Sequence, residues 1–394
     1  MDLHEHQAKR LLAAYGLPVP IGEVATSVDR AGQAARRLGC SEFVVKAQVL
    51  AGDRKAGGGI RFASTPAEVE DAARKLLGSR LVTRQTGARG ADVSAVHVEE
   101  RITVARNLYV AITLDKLSGT IVMLASAKGG DDIEERAADG DTIIARLPLR
   151  IEGTRIVGNF EAFAARIAGE ERLAAGLATV LGNLAAAFLG CDATLIEINP
   201  LAVTDRGRLC ALDAKVTIDD NALFRRADLA DLKTHNVDVA ADASEREAQS
   251  FQINYMKLEG EIGCVVNGAG LALATHDLVV DAGGRPANFM DIRTTASSLD
   301  IAKGLGLLLQ NRSVRSLLVN VHGGGMQRCD TIAEGIGIAM RRAGRSLPIV
   351  IRMAGNNARF AETVLRNNGV VYTSVDDMAE AARIAVEAAR QEAA

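Results

Sequence analysis

The chain has no Trp and few other aromatic residues, with nine Phe and four Tyr among 394 residues. Proteins that bind single-stranded nucleic acid stack bases on exposed aromatic rings, so this scarcity argues against such a partner. The formal net charge is only −3, and bulk charge therefore provides no polyanion-binding surface. We expect no nucleic-acid partner.

Long hydrophobic runs and a targeting segment are also missing from the sequence. No apolar run reaches the roughly 18–20 residues that a membrane helix needs. The opening residues, MDLHE, have neither the basic nor the apolar region of a signal peptide. The five cysteines are scattered and form no CxxC pair, which is typical of reduced thiols. These features predict a cytoplasmic protein with no membrane partner.

The sequence contains 48% hydrophobic and 24% charged residues, a balance typical of globular proteins, and it contains 38 glycines. Its length suits two or three domains of roughly 100–200 residues each. The stretch 234–250, THNVDVAADASEREAQS, is polar and poor in large apolar residues, as linkers between domains are. We therefore predict two domains, 1–240 and 250–394.

The second domain has a regular alternation of apolar runs and helical stretches, which predicts a parallel sheet with helices on both faces. Five strands of this kind would make a doubly wound, flavodoxin-like α/β layer. The predicted strands are Ile262–Val266, Ala287–Ile292, Ser316–Val321, Pro348–Met353 and Val370–Tyr372.

A hairpin is predicted in the first domain around the turn Asp205-Arg206-Gly207. If the hairpin is centred on Arg206, Asn199 lies opposite Asp213, and Glu197 lies opposite Lys215. All four side chains then share one face of the sheet. Carboxylate and amide oxygens suit Mg²⁺ together with phosphate oxygens. The alternative is a solvated polar face with a cross-strand Glu–Lys pair, which is common in antiparallel sheets.

A basic, glycine-rich loop follows the short strand that contains Lys46. Its sequence is AGDRKAGGG, and its backbone N–H groups with Arg54 or Lys55 could contact phosphates. The loop is not a P-loop because it lacks the G-K-[ST] sequence. A surface hairpin tip is the alternative interpretation.

Four predicted strand ends in the second domain are followed by small or polar residues. These segments are Asn267–Gly270, Asp291–Thr295, His322–Met326 and Ala354–Asn357. The carboxyl ends of parallel strands meet at one sheet edge, where ligands bind. The pattern predicts a site for a small acid there, and ordinary strand-to-helix turns are the alternative.

Nine sequence blocks together resemble the β subunits of succinyl-CoA synthetase and malate–CoA ligase, in order and with similar spacing along essentially the whole chain. The blocks are MDLHEHQAKRLLAAYGLPVP, FVVKAQV–AGDRKAGGG, LGSRLVTRQTG, LIEINPLAV, LDAK, DNALFRR, IGCVVNGAGLALAT, PANFMD and AGNNA. The resemblance implies an ATP-grasp domain over 1–240 and a flavodoxin-like CoA-ligase domain over 250–394.

The activity that the resemblance implies is nucleotide-dependent acid–CoA ligation. An acid, CoA and ATP or GTP would give acyl-CoA, NDP and phosphate, through an acyl phosphate and a phosphohistidine. The phosphohistidine and the CoA site would belong to a partner α subunit, in an αβ or α2β2 assembly. The acid would be a dicarboxylate or similar anion, such as malate, succinate or an analogue.

The resemblance also implies roles for individual residues. Asn199 and Asp213 would be the Mg²⁺ ligands, and Glu197 would be the catalytic residue that meets the phosphohistidine. The nucleotide would be bound by Lys46, Asp53, Arg54, Lys55, Glu99, Ile102 and Asn107. The acid would be bound by Asn267, Arg293, His322, Gly324, Gly325, Met326 and Gln327.

The phosphate loop departs from the family pattern, which reads G-G-R-G-K where this chain reads Gly52-Asp53-Arg54-Lys55. Asp53 adds negative charge near phosphates, which is unfavourable unless the carboxylate is turned away or paired. Asn107 and Leu50 stand where the family commonly has glutamate and histidine.

The acid pocket departs further from the family pattern. The family's D-V-G-G-G-A is DIRTTA here, and the later F-G-G-I-V-R-C-D is the longer HGGGMQRCD. Arg293 supplies donors suited to a carboxylate, sulfonate or phosphate, so the acid is predicted to differ from succinate. Alternatively, Arg293 faces a subunit interface.

Two other functions are compatible with these residues. One is a self-contained ATP-grasp ligase that joins a carboxylate to an amine, which would leave the second domain without a task. The other is a diverged non-catalytic regulatory subunit, because a fold alone does not fix activity.

Overall fold

The computed structural model describes residues 1–130, 133–140, 143–235, 243–249, 251, 253–324 and 326–392. The chain divides into two compact units, Met1–Ala240 and Ala241–Ala394. Each unit has its own sheets and its own hydrophobic cores.

The described strands of the first unit form three antiparallel sheets. They are β1 (Gly22–Ala25), β2 (Phe43–Ala47), β3 (Ile60–Ala63), β4 (Arg80–Leu81), β5 (Ala91–Asp92), β6 (Val96–Glu100), β7 (Val104–Asp115), β8 (Thr120–Ser126), β9 (Ala145–Glu152), β10 (Arg155–Val157), β11 (Ala193–Thr204), β12 (Leu209–Ala211) and β13 (Ala214–Ile218). One sheet has the order β1-β6-β2-β3, and β4 pairs with β5. The largest has the order β10-β9-β8-β7-β11-β12, with β13 also paired to β11.

The helices of the first unit begin and end at residues that suit helix termini. They are α1 (Glu5–Ala14), α2 (Val28–Leu38), α3 (Pro66–Leu76), α4 (Ile133–Ala138), α5 (Phe160–Ala168), α6 (Glu171–Gly190) and α7 (Ala227–His235). Ser27 and Thr65 each accept a backbone N–H at the start of α2 and α3. Gly39 ends α2 with a φ of 63°, which glycine adopts without strain.

The core of the first unit lies between its helices and sheets. Residues of α2 and α3 pack with the four-stranded sheet, while α1, α5 and α6 pack with the largest sheet. The 20-residue α6 is long and apolar enough to cross a membrane by length and composition, so the prediction that no apolar run reaches this length was wrong. Its Leu177, Leu181 and Leu184 are fully buried in the core, as in a core helix.

The predicted hairpin register is confirmed. Glu197 pairs with Lys215, and Leu201 pairs with Ala211, so the turn is centred on Arg206. The Asn199 N–H donates to Asp213 O at 3.2 Å. Gly207 has a φ of 69°, which this turn requires.

The second unit contains a six-stranded sheet with helices on both faces. Its elements are α8 (Ala243–Gln249), β14 (Ile253–Lys257), β15 (Ile262–Val266), α9 (Ala269–Asp281), β16 (Asn288–Ile292), α10 (Ser298–Gln310), β17 (Ser316–Gly323), α11 (Cys329–Arg342), β18 (Ile349–Gly355), α12 (Ala358–Asn367), β19 (Thr373–Ser374) and α13 (Met378–Gln391). The strand order is β14-β16-β15-β17-β18-β19. One core packs against α10, α11 and α12, and another packs against α9 and α13.

The predicted parallel sheet is confirmed with three corrections. β14 is an additional strand, antiparallel to β16, which sequence patterning missed because its INYMK run is short and mixed. The last strand is β19 at 373–374, rather than 370–372. The predicted linker includes α8, so it is partly helical, while positions 236–242 and 250 lie outside the described residues.

Candidate functional site

A cavity of about 900 Å³ lies in the first unit, beside the loop after β2 and the hairpin of β11 and β13. Its volume is in the range of small-molecule sites. It brings together residues that are up to 213 positions apart in the sequence, from Asp2 to Lys215. The predicted nucleotide, metal and catalytic residues that line it are Lys46, Asp53, Arg54, Lys55, Glu99, Ile102, Asn107, Glu197, Asn199 and Asp213.

Lys46 projects from β2 into a buried cluster of charges at this cavity. Its Nζ lies 3.0 Å from Glu5 Oε1, donates to Leu212 O at 2.7 Å and also contacts Glu99 Oε1. Lys9 completes the cluster, because its Nζ is 2.6 Å from both Glu5 Oε1 and Glu99 Oε2. These side chains are buried.

Arg54 joins this charge cluster to the hairpin. Its Nη1 lies 2.6 Å from Glu5 Oε2, and its Nη2 donates to Asp213 Oδ2 at 2.7 Å. Nη1 also donates to Ala47 O at 3.1 Å. Asp213 is 37% exposed, so the guanidinium connects a buried carboxylate with one at the cavity wall.

Opposite charges in the cluster stabilise the ionised forms. Burial alone would lower the pKa of Lys46, but the carboxylates of Glu5, Glu99 and Asp213 outweigh it and raise this pKa above its usual value. Burial would raise the pKa of Glu5, yet Arg54, Lys46 and Lys9 hold it well below its usual value. Three cations therefore face three carboxylates in this cluster.

Two histidines beside the cluster are neutral. Burial lowers the pKa of His97 to about 3, and the ammonium groups of Lys9 and Lys46 oppose its protonation. Burial, together with His6 and Arg54, lowers the pKa of His4 to about 4. The 3.4 Å contact of His97 Nδ1 with Glu99 Oε2 is therefore not an ion pair at neutral pH.

The donor atoms of Glu5, His97 and Glu99 lie within 4.8 Å of one another, as metal ligands do. The Lys9 ammonium, however, already contacts both carboxylates at 2.6 Å. This group is an internal ion-pair cluster with a protein cation at its centre.

Asn199 and Asp213 provide oxygen donors on neighbouring segments of the hairpin, at the wall of the same cavity. The Asn199 side chain accepts the N–H of Gly130 at 2.8 Å and donates to its carbonyl at 3.0 Å. Glu197 lies two residues away and also lines the cavity. An amide oxygen and two carboxylates form a donor set that fits Mg²⁺, provided that Arg54 leaves Asp213.

In the second unit, side chains connect the loops that follow β15, β16 and β17. Asn267 Nδ2 donates to His322 O at 2.7 Å, and the His322 N–H donates to Asn267 Oδ1 at 2.9 Å. The buried Gln327 amide nitrogen faces two carbonyls, Thr294 O at 3.0 Å and Arg293 O at 3.2 Å. The two loops that depart from the family pattern therefore bind each other.

The Arg293 guanidinium is directed at the additional strand β14. Its Nε and Nη2 donate to Asn254 Oδ1 at 3.2 and 2.9 Å, and Asn254 Nδ2 donates to Asp291 Oδ2 at 3.1 Å. Asp291 Oδ1 also accepts the N–H of Gly268 at 2.6 Å. Asp291 thus connects the strand ends of β15 and β16 directly, and Asn254 connects both Asp291 and Arg293 to β14.

The remaining predicted acid-binding residues belong to the loop after β17. The Gly324 N–H donates to Gln327 O at 3.0 Å, which makes a tight turn, and Met326 is 74% exposed. Gly325 lies outside the described residues.

Family models match both units of the chain. An ATP-grasp domain matches residues 2–203, and a CoA-ligase domain matches residues 265–386. The chain is 40% identical to a succinate–CoA ligase [ADP-forming] subunit beta from Persephonella marina over 99% of both chains. It is 42% identical to a protein of the same name from Solibacter usitatus, over 99% of this chain and 100% of that one.

The chain belongs to the succinate–CoA ligase β-subunit family.

The fold of a solved structure agrees with this assignment. ATP citrate lyase from Methanothrix soehngenii, in complex with citrate and coenzyme A, superposes with a TM-score of 0.74 at 18% identity. The match covers 98% of this chain and 99% of that one. The predicted order of an ATP-grasp domain followed by a CoA-ligase domain is confirmed for this member of the family.

Sequence reasoning missed two residues of the charge cluster in this family member, Glu5 and Lys9. A signal was present, because their i,i+4 spacing places both on the face of α1 that carries Ala8 and Leu12, and all four are buried. Charged residues on an otherwise apolar helix face indicate buried partners elsewhere in the chain.

Proposed function

We propose that the chain is the β-type subunit of a nucleotide-dependent acid–CoA ligase, with the nucleotide bound in the first unit (1–240) and the acid in the second (250–394). The observation that supports this most is the cavity of the first unit, which combines buried cations with carboxylate and amide oxygens on one hairpin. A nucleoside triphosphate presents the complementary charges, phosphate oxygens together with a divalent cation.

In this proposal, Lys46, Arg54 and Lys55 contact the phosphates, together with N–H groups of the loop that contains Asp53. Glu99, Ile102 and Asn107 line the part of the cavity assigned to the nucleoside. Lys46 and Arg54 are held in place by Glu5 before any phosphate arrives. Preorganised charge of this kind stabilises a transferring phosphoryl group without reorganisation.

Asn199 and Asp213 would hold Mg²⁺, and Glu197 lies beside them to accept or hold the proton of an incoming imidazole. The bound ion would offset negative charge on the phosphate oxygens. Arg54 must release Asp213 for this arrangement, and the freed guanidinium can then donate to phosphate.

A partner completes the proposed enzyme. The relatives are named as subunits, and the roles implied by the resemblance leave the phosphohistidine and the CoA site to an α subunit. We propose an αβ or α2β2 assembly in the cytoplasm, in which the imidazole travels between the acid site and the nucleotide site.

The acid is proposed to lie near Asn267, His322, Gly324–Gln327 and the loop of Arg293. Arg and Thr side chains replace family glycines there, and Gln327 fixes the loop through two carbonyls. Such a loop favours an acid with an added hydroxyl or a different anionic head, such as malate or an analogue, over succinate.

Nucleotide titration of the full chain tests the first-unit assignment. Wild type should bind ATP or GTP only with Mg²⁺, and Asn199→Ala and Asp213→Ala should each weaken binding at least tenfold, about 1.4 kcal/mol. Asp205→Ala, at the far end of the same hairpin, should bind like wild type. Absence of Mg²⁺-dependent nucleotide binding in wild type would contradict a catalytic role.

Co-purification of the native protein tests the partner. We expect a Rossmann-type chain with an active-site histidine, and acyl-CoA synthesis only by the complex. An acid panel assayed with ATP and GTP then identifies the substrates. Synthesis by the isolated chain would favour a self-contained ligase, and fast, selective use of succinate would refute a different acid.

A further inference from the structure

The phosphate loop contains an acidic residue in a strained conformation. Asp53 lies between Gly52 and Arg54, lines the cavity, and has a φ of 57°. Residues with a side chain rarely adopt this left-handed conformation, although Asp and Asn tolerate it better than most. A carboxylate at this position would repel the phosphates of a nucleotide.

A neighbouring segment pairs with this carboxylate. Arg84 Nε donates to Asp53 Oδ2 at 2.9 Å, and the next residue, Gln85, accepts the Gly52 N–H through its Oε1 at 2.8 Å. Arg84 and Gln85 both line the cavity. Two consecutive side chains thus contact two consecutive residues of the loop.

Backbone packing holds the same two segments together. A Cβ atom at Gly57 would lie 2.6 Å from Val82 O, so only glycine permits this approach. The contact lies on the other side of the loop from Gly52. The loop is therefore fixed against the segment 82–85 at both ends.

We propose that Arg84 and Gln85 form a clamp that makes an acidic phosphate loop compatible with nucleotide binding. Arg84 neutralises Asp53 and directs its carboxylate away from the phosphates, while Gln85 fixes the Gly52 backbone. Arg84 is thus a positioning residue that acts through Asp53. This inference rests on the proposed function, in which the cavity binds a nucleoside triphosphate.

The exposures of the two partners support this division of roles. Asp53 is 19% exposed at the cavity wall, whereas Arg84 is 67% exposed. An exposed ion pair contributes little to folding, so removing Arg84 should leave the fold intact. Its removal would nevertheless leave an unpaired carboxylate beside the phosphate site.

Binding of Mg²⁺–ADP and Mg²⁺–ATP to the full chain, measured by calorimetry, tests the clamp. Arg84→Ala should weaken nucleotide binding about tenfold, because the unpaired Asp53 carboxylate then repels the phosphates. Asp53→Asn, which keeps the shape and tolerates the same φ, should bind at least as tightly as wild type. The double variant should bind within about threefold of Asp53→Asn, and Arg84→Lys should recover most of the affinity.

The matched control is Arg80→Ala. Arg80 lies in the same region, is 63% exposed and pairs with Asp92 at 3.0 Å, but it does not line the cavity. The Arg80→Ala variant should bind nucleotide like wild type. If Arg84→Ala binds within twofold of wild type, or if its loss persists in the Asp53→Asn background, the clamp is refuted.

Hydrogen exchange gives a readout that needs no nucleotide. Arg84→Ala and Gln85→Ala should each speed amide exchange across 52–59, and Arg80→Ala should not. Unchanged exchange in both clamp variants would overturn the inference. Failure of wild type to bind nucleotide while exchange responds as expected would instead contradict the proposed function.

Discussion

Glu5 is a residue at the first turn of α1 whose carboxylate contacts three cations, Lys9, Lys46 and Arg54. Two of these cations are assigned to phosphate binding, and both come from the β2 region. Glu5 therefore fixes the geometry of the proposed site although it lies outside the hairpin and the loop. A buried ion cluster of this kind is costly to break by removal of one partner.

Glu5→Gln should destabilise the protein because it leaves three cations facing two carboxylates in a buried setting. The expected loss in the free energy of unfolding is about 3–5 kcal/mol, measured by urea denaturation. Glu23→Gln, which breaks an exposed pair with Arg37, is the control and should cause no comparable loss. Equal effects of the two substitutions would show that the buried cluster contributes no more to the free energy of unfolding than the exposed pair does.

His97 and His4 make stability depend on pH in a defined direction. Their folded pKa values are about 3 and 4, below the usual 6.5, so the unfolded chain binds more protons between those values and 6.5. Stability is therefore fully present above pH 6.5 and declines as the pH falls. Between pH 6.5 and 5 carboxylates contribute little, because their unfolded pKa values lie lower.

We expect the free energy of unfolding of wild type to fall by about 1–2 kcal/mol per histidine between pH 6.5 and 5. His97→Gln should reduce this slope, whatever its stability at pH 7. Urea titrations at pH 7, 6 and 5 measure it. A slope that is identical in wild type and His97→Gln would mean that folding does not shift the pKa of His97.

At the scale of elements, local patterns predicted the hairpin of β11 and β13 to the exact residue pairing. Gly207 determines the position of the turn, and the alternation of apolar and polar residues determines which side chains lie on the buried face of the sheet. Together they set the strand register. The parallel strands of the second unit were predicted for the same reason, since buried runs separated by helices are local signals.

Features that depend on distant residues could not be predicted in this way. The pairing of Asp53 with Arg84, and of Arg54 with Glu5, joins segments whose relative placement only the folded sheets determine. β14 was missed because an edge strand with one neighbour shows weak alternation. The ten cavity residues were identified largely through the family resemblance, and their roles stay predictions.

Gln327 connects the loops after β16 and β17, and its replacement tests how they depend on each other. Gln327→Ala should cost about 1–3 kcal/mol in the free energy of unfolding, because the two hydrogen bonds from the buried Gln327 amide to the carbonyls of Arg293 and Thr294 are lost. Amide exchange in 293–297 should speed up as well. Met326→Ala, at an exposed neighbouring position, is the control. Unchanged exchange in Gln327→Ala would show that the loops are independent.

At the scale of the whole molecule, the cores fall into two sets that do not share residues. The clusters of the first unit involve residues up to Leu229, and those of the second begin at Ile253. Each set contains enough buried Leu, Ile and Val to support a cooperative unit.

Scanning calorimetry of the full chain should therefore resolve two transitions. Saturating Mg²⁺–ATP should raise the midpoint temperature of the first unit's transition only. The stabilisation should grow with the logarithm of the ligand concentration. Asp213→Ala should reduce this shift while both transitions remain. A single transition that moves as a whole would show that the two units unfold together.

The contact between Arg54 and Asp213 has a consequence for which molecules can enter the cavity. An anion that binds alone would have to displace Arg54 from Asp213 and leave the carboxylate unpaired. A divalent cation that binds alone would leave the Arg54 guanidinium unpaired. A chelate carries both signs at once, so it can exchange the internal pair for two new ones in a single event. We therefore expect free phosphate and free divalent metal each to bind more weakly in this cavity than a metal–phosphate chelate.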